Sequence, residues 1–247
     1  MKGLRLRDAE AADRDAVLER ARVAGVAAIV AVGEDLADAR RNLELARTNS
    51  MIKPAAGLYP THLSMERAVE MAAFIRRNRP LLFAIGEVGL DFWVVKEDRQ
   101  KALQREIFKL FVQLAVELDL PLNIHSRSAG RHAVAMLLEN NAVKVQLHAF
   151  DGKAGAALPA VEAGYFFSIP PSIVRSRQKQ KLVQQLPLER LLVETDSPVL
   201  GPDASRRNEP ANLPGVVRAI AQIKKISEEA VAAAVCENTA KLYGTLR

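Results

Sequence analysis

Four short apolar runs in this 247-residue chain each end in a side chain that can hold a metal ion or move a proton. Residues 81–85 (LLFAI) lead through Gly86 to Glu87, 120–124 (LPLNI) to His125, 143–147 (VKVQL) to His148, and 191–193 (LLV) to Glu194 and Asp196. A carboxylate at the end of a buried strand is costly unless a cation, a metal or hydrogen bonds compensate it. Four such strand ends in one chain suggest one shared site. Imidazole and carboxylate together suit zinc, manganese or magnesium, with magnesium preferring oxygen-rich surroundings. Glu87 has two oxygens and could bridge two cations about 3.5–4 Å apart. His125 and His148 would hold one metal. Asp196 would hold the other, or orient and deprotonate an attacking water. Taken singly, each has a plainer reading, a hydrogen-bonded core histidine or an ion-paired carboxylate. Together they favour a metal site.

Other residues follow the same strand ends. Arg127 lies two positions past His125 and would either clamp a phosphate bidentately or pair with Asp91 or Glu194. Arg207, Asn208 and Glu209 lie in a loop after Asp196 that no helix or strand requires, and loops at a barrel's carboxyl face commonly carry function. Arg131, Arg175, Arg177, Lys179, Lys181 and Arg206 also follow these ends. With a net charge of +6 and a pI near 9.6, their placement favours a phosphate-bearing substrate over a merely solubilising surface. His62 and His132 fall in or near helices and are expected at the surface. Cys236 lies in a helical run and is expected to be a small buried residue.

The elements that must position these groups alternate strand with helix. Strands are expected at 26–32, 52–57, 81–85, 120–124, 143–147, 165–169 and 191–194, and helices at 8–24, 35–47, 65–78, 98–118, 130–140, 153–163, 176–185, 213–224 and 227–242. Such alternation means parallel pairing with right-handed crossovers. No glycine-rich dinucleotide fingerprint or phosphate-loop lysine motif follows any strand. Ligands spread over four strand ends converge at a barrel mouth but poorly along an open sheet edge. The expectation is one α/β domain over residues 1–247, a TIM-type barrel whose first strand is missing or degenerate. The candidate for that strand, residues 4–7 (LRLR), has arginines suited to neither face.

Nearly half the residues are hydrophobic, enough for a sizeable core, and no apolar run approaches the ~18 residues of a spanning helix. The lone cysteine excludes an intramolecular disulfide framework and fits a reducing compartment. A soluble, cytoplasmic protein is expected, with no membrane and no obligate protein partner indicated.

AIGEVGLD at 84–91, NIHSR at 123–127, LHAFDG at 147–152, GYFFSIPPSI at 164–173, LLVETDSPVLGP at 191–202 and RNEP at 207–210 resemble the TatD family of metal-dependent deoxyribonucleases. The wording of HSRSAGR and FFSIPPSIVRSRQKQKLVQQLPL is most similar to one branch, TatD DNase domain-containing protein 3. The resemblance runs in consistent order over roughly residues 12–242. It implies a barrel hydrolase that cleaves DNA phosphodiester bonds, typically from a 3′ end, with magnesium or a similar divalent ion. Glu87 then matches the bridging carboxylate, His125 and His148 the ligands of one metal, and Asp196 the acid on the other. Arg127, Arg207, Asn208 and Glu209 match positions around the substrate.

Two departures qualify the match. The family's first strand ends in His-x-His, whereas no histidine precedes His62 here. Either the chain lacks that motif or its reading frame extends upstream of Met1. Where the family reads Gly-x-His-Pro, this chain has Gly57-Leu58-Tyr59-Pro60, which puts Tyr59 in the place of a substrate-contacting histidine. The expectation is a metal-dependent deoxyribonuclease, impaired by the missing histidines and binding one divalent ion well. The alternatives are a related barrel hydrolase acting on a small ester, amide or phosphoester, and a catalytically weak nucleic-acid-binding relative.

Overall fold

Among the described residues seven parallel strands stand side by side in chain order, and helices on the outer face link one to the next. The computed structural model describes residues 11–244, so residues 4–7 lie outside the described residues. The strands are β1 (Ile29–Ala31), β2 (Ile52–Ala56), β3 (Ala84–Gly89), β4 (Leu122–His125), β5 (Val145–Leu147), β6 (Phe166–Ile169) and β7 (Leu191–Val193). The helices are α1 (Ala11–Val23), α2 (Leu36–Thr48), α3 (Met65–Asn78), α4 (Asp98–Leu118), α5 (Gly130–Glu139), α6 (Ala154–Glu162), α7 (Arg177–Gln185), α8 (Leu213–Lys224) and α9 (Glu228–Tyr243). Asp35, Ser64, Ser176 and Ser227 cap α2, α3, α7 and α9, their side-chain oxygens accepting backbone N–H groups of the first turn.

Residues β2 through β6 are buried throughout, as expected of parallel strands covered on both faces. Ile85, Leu122, Ile124, Val145, Leu147 and Phe167 meet Phe108, Phe111, Val134 and Ile173 in one continuous core. Alternation along the strands turns the other side chains inward. Asn123 and His125 on β4, Gln146 on β5 and His148 just past it, and Ser168 on β6 therefore form a polar lining.

Two expectations need correction. Pro80 opens a short 3-10 turn over Arg79–Leu81, leaving Leu81 half exposed, so β3 starts at Ala84. Glu87 accordingly lies within the strand rather than after it, at a register shift between Ile85 and Val88 against β4. Cys236 is exposed, because α9 turns Val231, Val235 and Leu242 to the core and Cys236 to the next face round.

The expected TIM-type barrel with a missing or degenerate first strand is borne out. Among the described residues β7 does not pair with β1, so the barrel is a curled sheet with a seam. A cavity of about 1370 Å³ fills that seam, lined among others by Leu18, Val30, Leu192, Cys236, Thr239 and Tyr243, and it is continuous with the carboxyl-end cluster. Asn123 Oδ1, buried without a hydrogen-bond partner, belongs to a residue that lines it.

Gly89 shows how tightly β3 and β4 approach. Its φ is +145°, and a Cβ built there would stand 2.0 Å from the carbonyl oxygen of His125. Gly89→Ala should therefore lower stability by about 2 kcal/mol or more and displace His125, since left-handed strain and a backbone clash add. Urea denaturation of the purified variant measures this, and an unchanged midpoint would contradict it.

Candidate metal and hydrolytic site

The curl of the sheet brings Glu87, His125, His148, Glu194 and Asp196 together as the sequence suggests, and adds Asp91. His125 sits between two acids, with Nδ1 2.6 Å from Glu87 Oε1 and Nε2 3.1 Å from Asp91 Oδ2. His148 sits between three. Its Nδ1 is 2.6 Å from Glu194 Oε2, while Nε2 lies 3.5 Å from Asp196 Oδ1 and 3.8 Å from Glu87 Oε1. Glu87 thus joins the two halves. Asp91 and Glu194 hold the far nitrogens of the imidazoles, the place from which an orienting carboxylate sets a ligand's tautomer and direction. Asp91 could have been read from the GEVGLD motif, where it stands close to Glu87.

Further groups fix these acids. Gln104 is buried, accepts the Asp91 N–H at 3.1 Å and donates to the Pro60 carbonyl at 2.8 Å. On the other side a line of donors runs inward. Tyr243 donates to Gln146 Oε1, Gln146 donates to Ser168 Oγ at 2.7 Å, and Ser168 donates to Glu194 Oε2 at 2.5 Å. Ala149 N–H adds a bond to Glu194 Oε1 at 2.9 Å. Lys179, expected among phosphate-facing cations, is instead buried and donates to the Ala149 carbonyl at 3.1 Å.

Tyr59 is in the site, its ring edge-on to His125 with centroids 5.0 Å apart. Arg127 is exposed at the rim, and its guanidinium lies 5.3 Å from the Trp93 ring centre rather than in an ion pair with Asp91 or Glu194. The structure does not bring Arg207, Asn208 and Glu209 to the cluster. Arg207 pairs with Asp13 at 2.8 Å and Glu209 with Arg20 at 2.7 Å, both on α1. Asn208 is buried and donates to the carbonyls of Thr195 and Val199, so it holds the Asp196 loop in shape. These three position Asp196 rather than line the cluster. His132 is exposed as expected, whereas His62 is half-buried against Arg67.

The charges explain the protonation. Burial alone would lower His125, but its bonds to Asp91 and Glu87 prevail and lift it to about 9. Burial opposes the charge on His148 too, yet Glu194, Asp196 and Glu87 carry it well above the usual histidine value. Burial raises Asp196 to about 6 against the pull of His148. Burial would also raise Asp91, but the His125 hydrogen bond and the Val94 N–H hold it below the usual carboxylate value. Burial and the neighbouring Glu87 raise the Tyr59 phenol, which stays neutral.

Among the described residues no three such side chains stand as a ready-made metal cage. The donors are held in hydrogen-bonded pairs, with protons supplying the positive charge. The set nonetheless fits a divalent cation. Four carboxylates and two imidazoles in one buried pocket leave a negative excess that a cation would meet by displacing protons.

A curled parallel sheet with imidazoles and carboxylates gathered at its strand ends is the architecture of a barrel-type hydrolase. The chain belongs to the TatD family, the model for TatD related DNase matching residues 4–244. Deoxyribonuclease TATDN3 of Homo sapiens is 45% identical over 247 residues, which cover 95% of this chain and 90% of that protein. The uncharacterized metal-dependent hydrolase YabD of Bacillus subtilis is 32% identical, covering 94% and 92%. The 3′-5′ ssDNA/RNA exonuclease TatD of Erwinia amylovora is 35% identical, covering 95% of each. Among solved structures, the TatD homologue YJJV of Escherichia coli superposes with a TM-score of 0.87 at 27% identity, covering 95% and 93%. No helix among the described residues is long and apolar enough to cross a membrane.

The protonation pattern gives a signed expectation. Between about pH 6.5 and 9 the folded, metal-free chain keeps a proton on His125 that the unfolded chain releases. Its stability is therefore fully present below pH 6.5 and falls as pH rises through 9. Asp196 acts in the same sense between its usual value near 4 and about 6. Denaturation midpoints of the metal-free protein should fall across this range, and saturating divalent ion should flatten the fall. A midpoint that rises from pH 6.5 to 9 would be the opposite of this linkage.

Proposed function

We propose that the chain is a divalent-metal-dependent hydrolase that cleaves phosphodiester bonds of DNA, working from a 3′ end. The carrying observation is the buried cluster in which Glu87 Oε1 lies 2.6 Å from His125 and 3.8 Å from His148, with Asp196 3.5 Å from the same His148. Family membership supports the reaction class, and the names of the human and Erwinia amylovora relatives support DNA as substrate and the 3′ polarity.

Glu87, His125, His148 and Asp196 would hold the metal, with Asp91 and Glu194 orienting the imidazoles. The carboxylates suit magnesium, and the imidazoles admit manganese or zinc as well. A divalent ion in such a site supplies Lewis acidity toward a phosphoryl oxygen and makes water more acidic. Asp196, at the carboxyl end of β7 and 3.5 Å from His148, would orient an attacking water and accept its proton. Arg127 at the rim offers a guanidinium to a substrate phosphate. Tyr59 walls the cluster beside His125 and keeps its proton. Arg207, Asn208 and Glu209 serve by fixing the loop that carries Asp196.

Only His125 and His148 of the four histidines reach the cluster, and the seam opens beside Asp196. A second cation there would rest on carboxylates and a shared His148. The 247-residue chain as it stands should therefore bind one divalent ion tightly and turn over slowly. Calorimetric titration with manganese should give one tight site per chain, and two tight sites would refute this.

Glu87→Ala should reduce release of 3′-labelled nucleotide from single-stranded DNA by at least about 10²-fold in saturating magnesium or manganese, as loss of a group acting on the transition state does. Unchanged release would reject the assignment. DNA left intact while a small ester or phosphoester is cleaved would favour a related barrel hydrolase. Salt-sensitive DNA binding without turnover would favour a nucleic-acid-binding relative.

A further inference from the structure

We propose that Trp93 is a stacking platform for an unpaired base of single-stranded DNA, beside the cluster, with Arg127 and Lys96 taking the flanking phosphates. The substrate class rests on the hydrolase reading above. The aromatic subsite and the role of Trp93 in it are added here.

Trp93 is the chain's single tryptophan and is 58% exposed, in the loop between β3 and α4, with Val94 54% exposed beside it. A ring of that size is usually well buried, so its exposure calls for a partner. The loop does not present it by slackness. Asp91 Oδ1 accepts the N–H groups of Trp93 and Val94, each at 2.9 Å, and the Asp91 carbonyl accepts the Val95 N–H at 3.0 Å. Phe92 N–H donates to the Arg127 carbonyl at 3.0 Å, which ties this loop to the one after β4. The other oxygen of Asp91 is the one on His125. One buried carboxylate therefore fixes both the imidazole and the exposed ring.

Cations surround the aromatic surface. Arg127 and Lys96 each lie 5.3 Å from the Trp93 ring centre. On the neighbouring Phe92 ring, Arg105 lies at 5.3 Å and Lys101 at 5.6 Å, with His132 at 5.3 Å between centroids. The opposing acids are Glu97 and Asp98, and Asp98 is 3.5 Å from Lys101. Rings interleaved with lysine and arginine match a strand whose phosphates need cations and whose bases have free faces. Paired bases in a duplex keep those faces covered. A cation over an exposed ring is held more weakly than a stacked base. Arg127 and Lys96 can thus move from ring to phosphate as a base takes their place.

The lone tryptophan is its own reporter. With divalent ions withheld, oligothymidylate should quench the emission of the native chain in step with the anisotropy of a dye on the DNA. An abasic strand of equal length should bind without that quenching. Trp93→Ala should weaken oligothymidylate binding by roughly tenfold or more, and Trp93→Phe should retain most of it. DNA that is bound and later cut while the emission stays constant would overturn this proposal and leave the hydrolase reading standing. Duplex DNA that quenches as strongly as single strands would overturn the assignment to unpaired bases. DNA neither bound nor cut would overturn both readings.

Discussion

The pairing of Glu87 and Asp91 with His125, and of Glu194 and Asp196 with His148, puts more negative than positive charge into a largely buried pocket. Ionised groups taken from water cost several kcal/mol each even after relaxation, on the order of the whole stability of a domain when summed. The fold tolerates the cluster because every acid in it is answered by an imidazole, a backbone N–H or a hydroxyl. The loops that deliver those answers carry unusual backbone. Ser128, Ala149, Asp196 and Leu200 have φ between +38° and +54°, and all follow β4, β5 or β7. Such conformations cost about 1–3 kcal/mol each and persist where the surroundings over-determine them. The surroundings here are the same hydrogen bonds. Ala149 gives its N–H to Glu194 while its carbonyl takes Lys179, and the Asp196 loop is pinned by Asn208.

The two imidazoles are held differently, and the difference separates their roles. Both nitrogens of His125 are taken by carboxylates at hydrogen-bonding distance. His148 has Nδ1 taken by Glu194, while its Nε2 faces Asp196 and Glu87 at 3.5 and 3.8 Å, beyond a direct hydrogen bond. His148 is thus oriented from behind by Glu194 and faces inward with its other nitrogen. His125 must release Glu87 or Asp91 before either of its nitrogens can do anything else.

Much of this was legible in the sequence because it is encoded locally. A buried parallel strand is an apolar run, and the first polar residue after it projects at the carboxyl end. Hence β4, β5 and β7 delivered His125, His148 and Asp196 to one place. The helix limits at 65–78, 98–118 and 213–224 were readable from Pro80 beyond the first of them and from amphipathic spacing. Glu87 was harder, since Pro80 diverts Leu81 into a turn and slides the strand three residues on. Asp91 is legible only as a candidate partner of Arg127 and Glu194 only as one of two acids ending β7, because a sequence shows two nearby acids without showing that one orients an imidazole and the other faces the pocket. The RNEP loop misled for a different reason. Arg207 and Glu209 reach Asp13 and Arg20, 194 and 189 positions away, and contacts at such separation leave no local pattern.

Those long-range pairs bear on the seam. Exposed ion pairs such as Arg20–Glu209 and Arg207–Asp13 contribute about 0–1 kcal/mol each, too little to close a barrel. Their effect is geometric. They dock α1 against the loop that carries Asp196, on the side where β7 lacks a partner among the described residues. Asn208 does the stronger work from the buried side, donating to two carbonyls of that loop and accepting from Glu209 and Asn212. An unpaired strand edge ordinarily lets a following loop drift. Here the carboxylate nearest the seam is held by a buried amide below and a salt-bridged helix outside. Asp196 can therefore stay within reach of His148 even though, among the described residues, no strand pairs with β7 on that side.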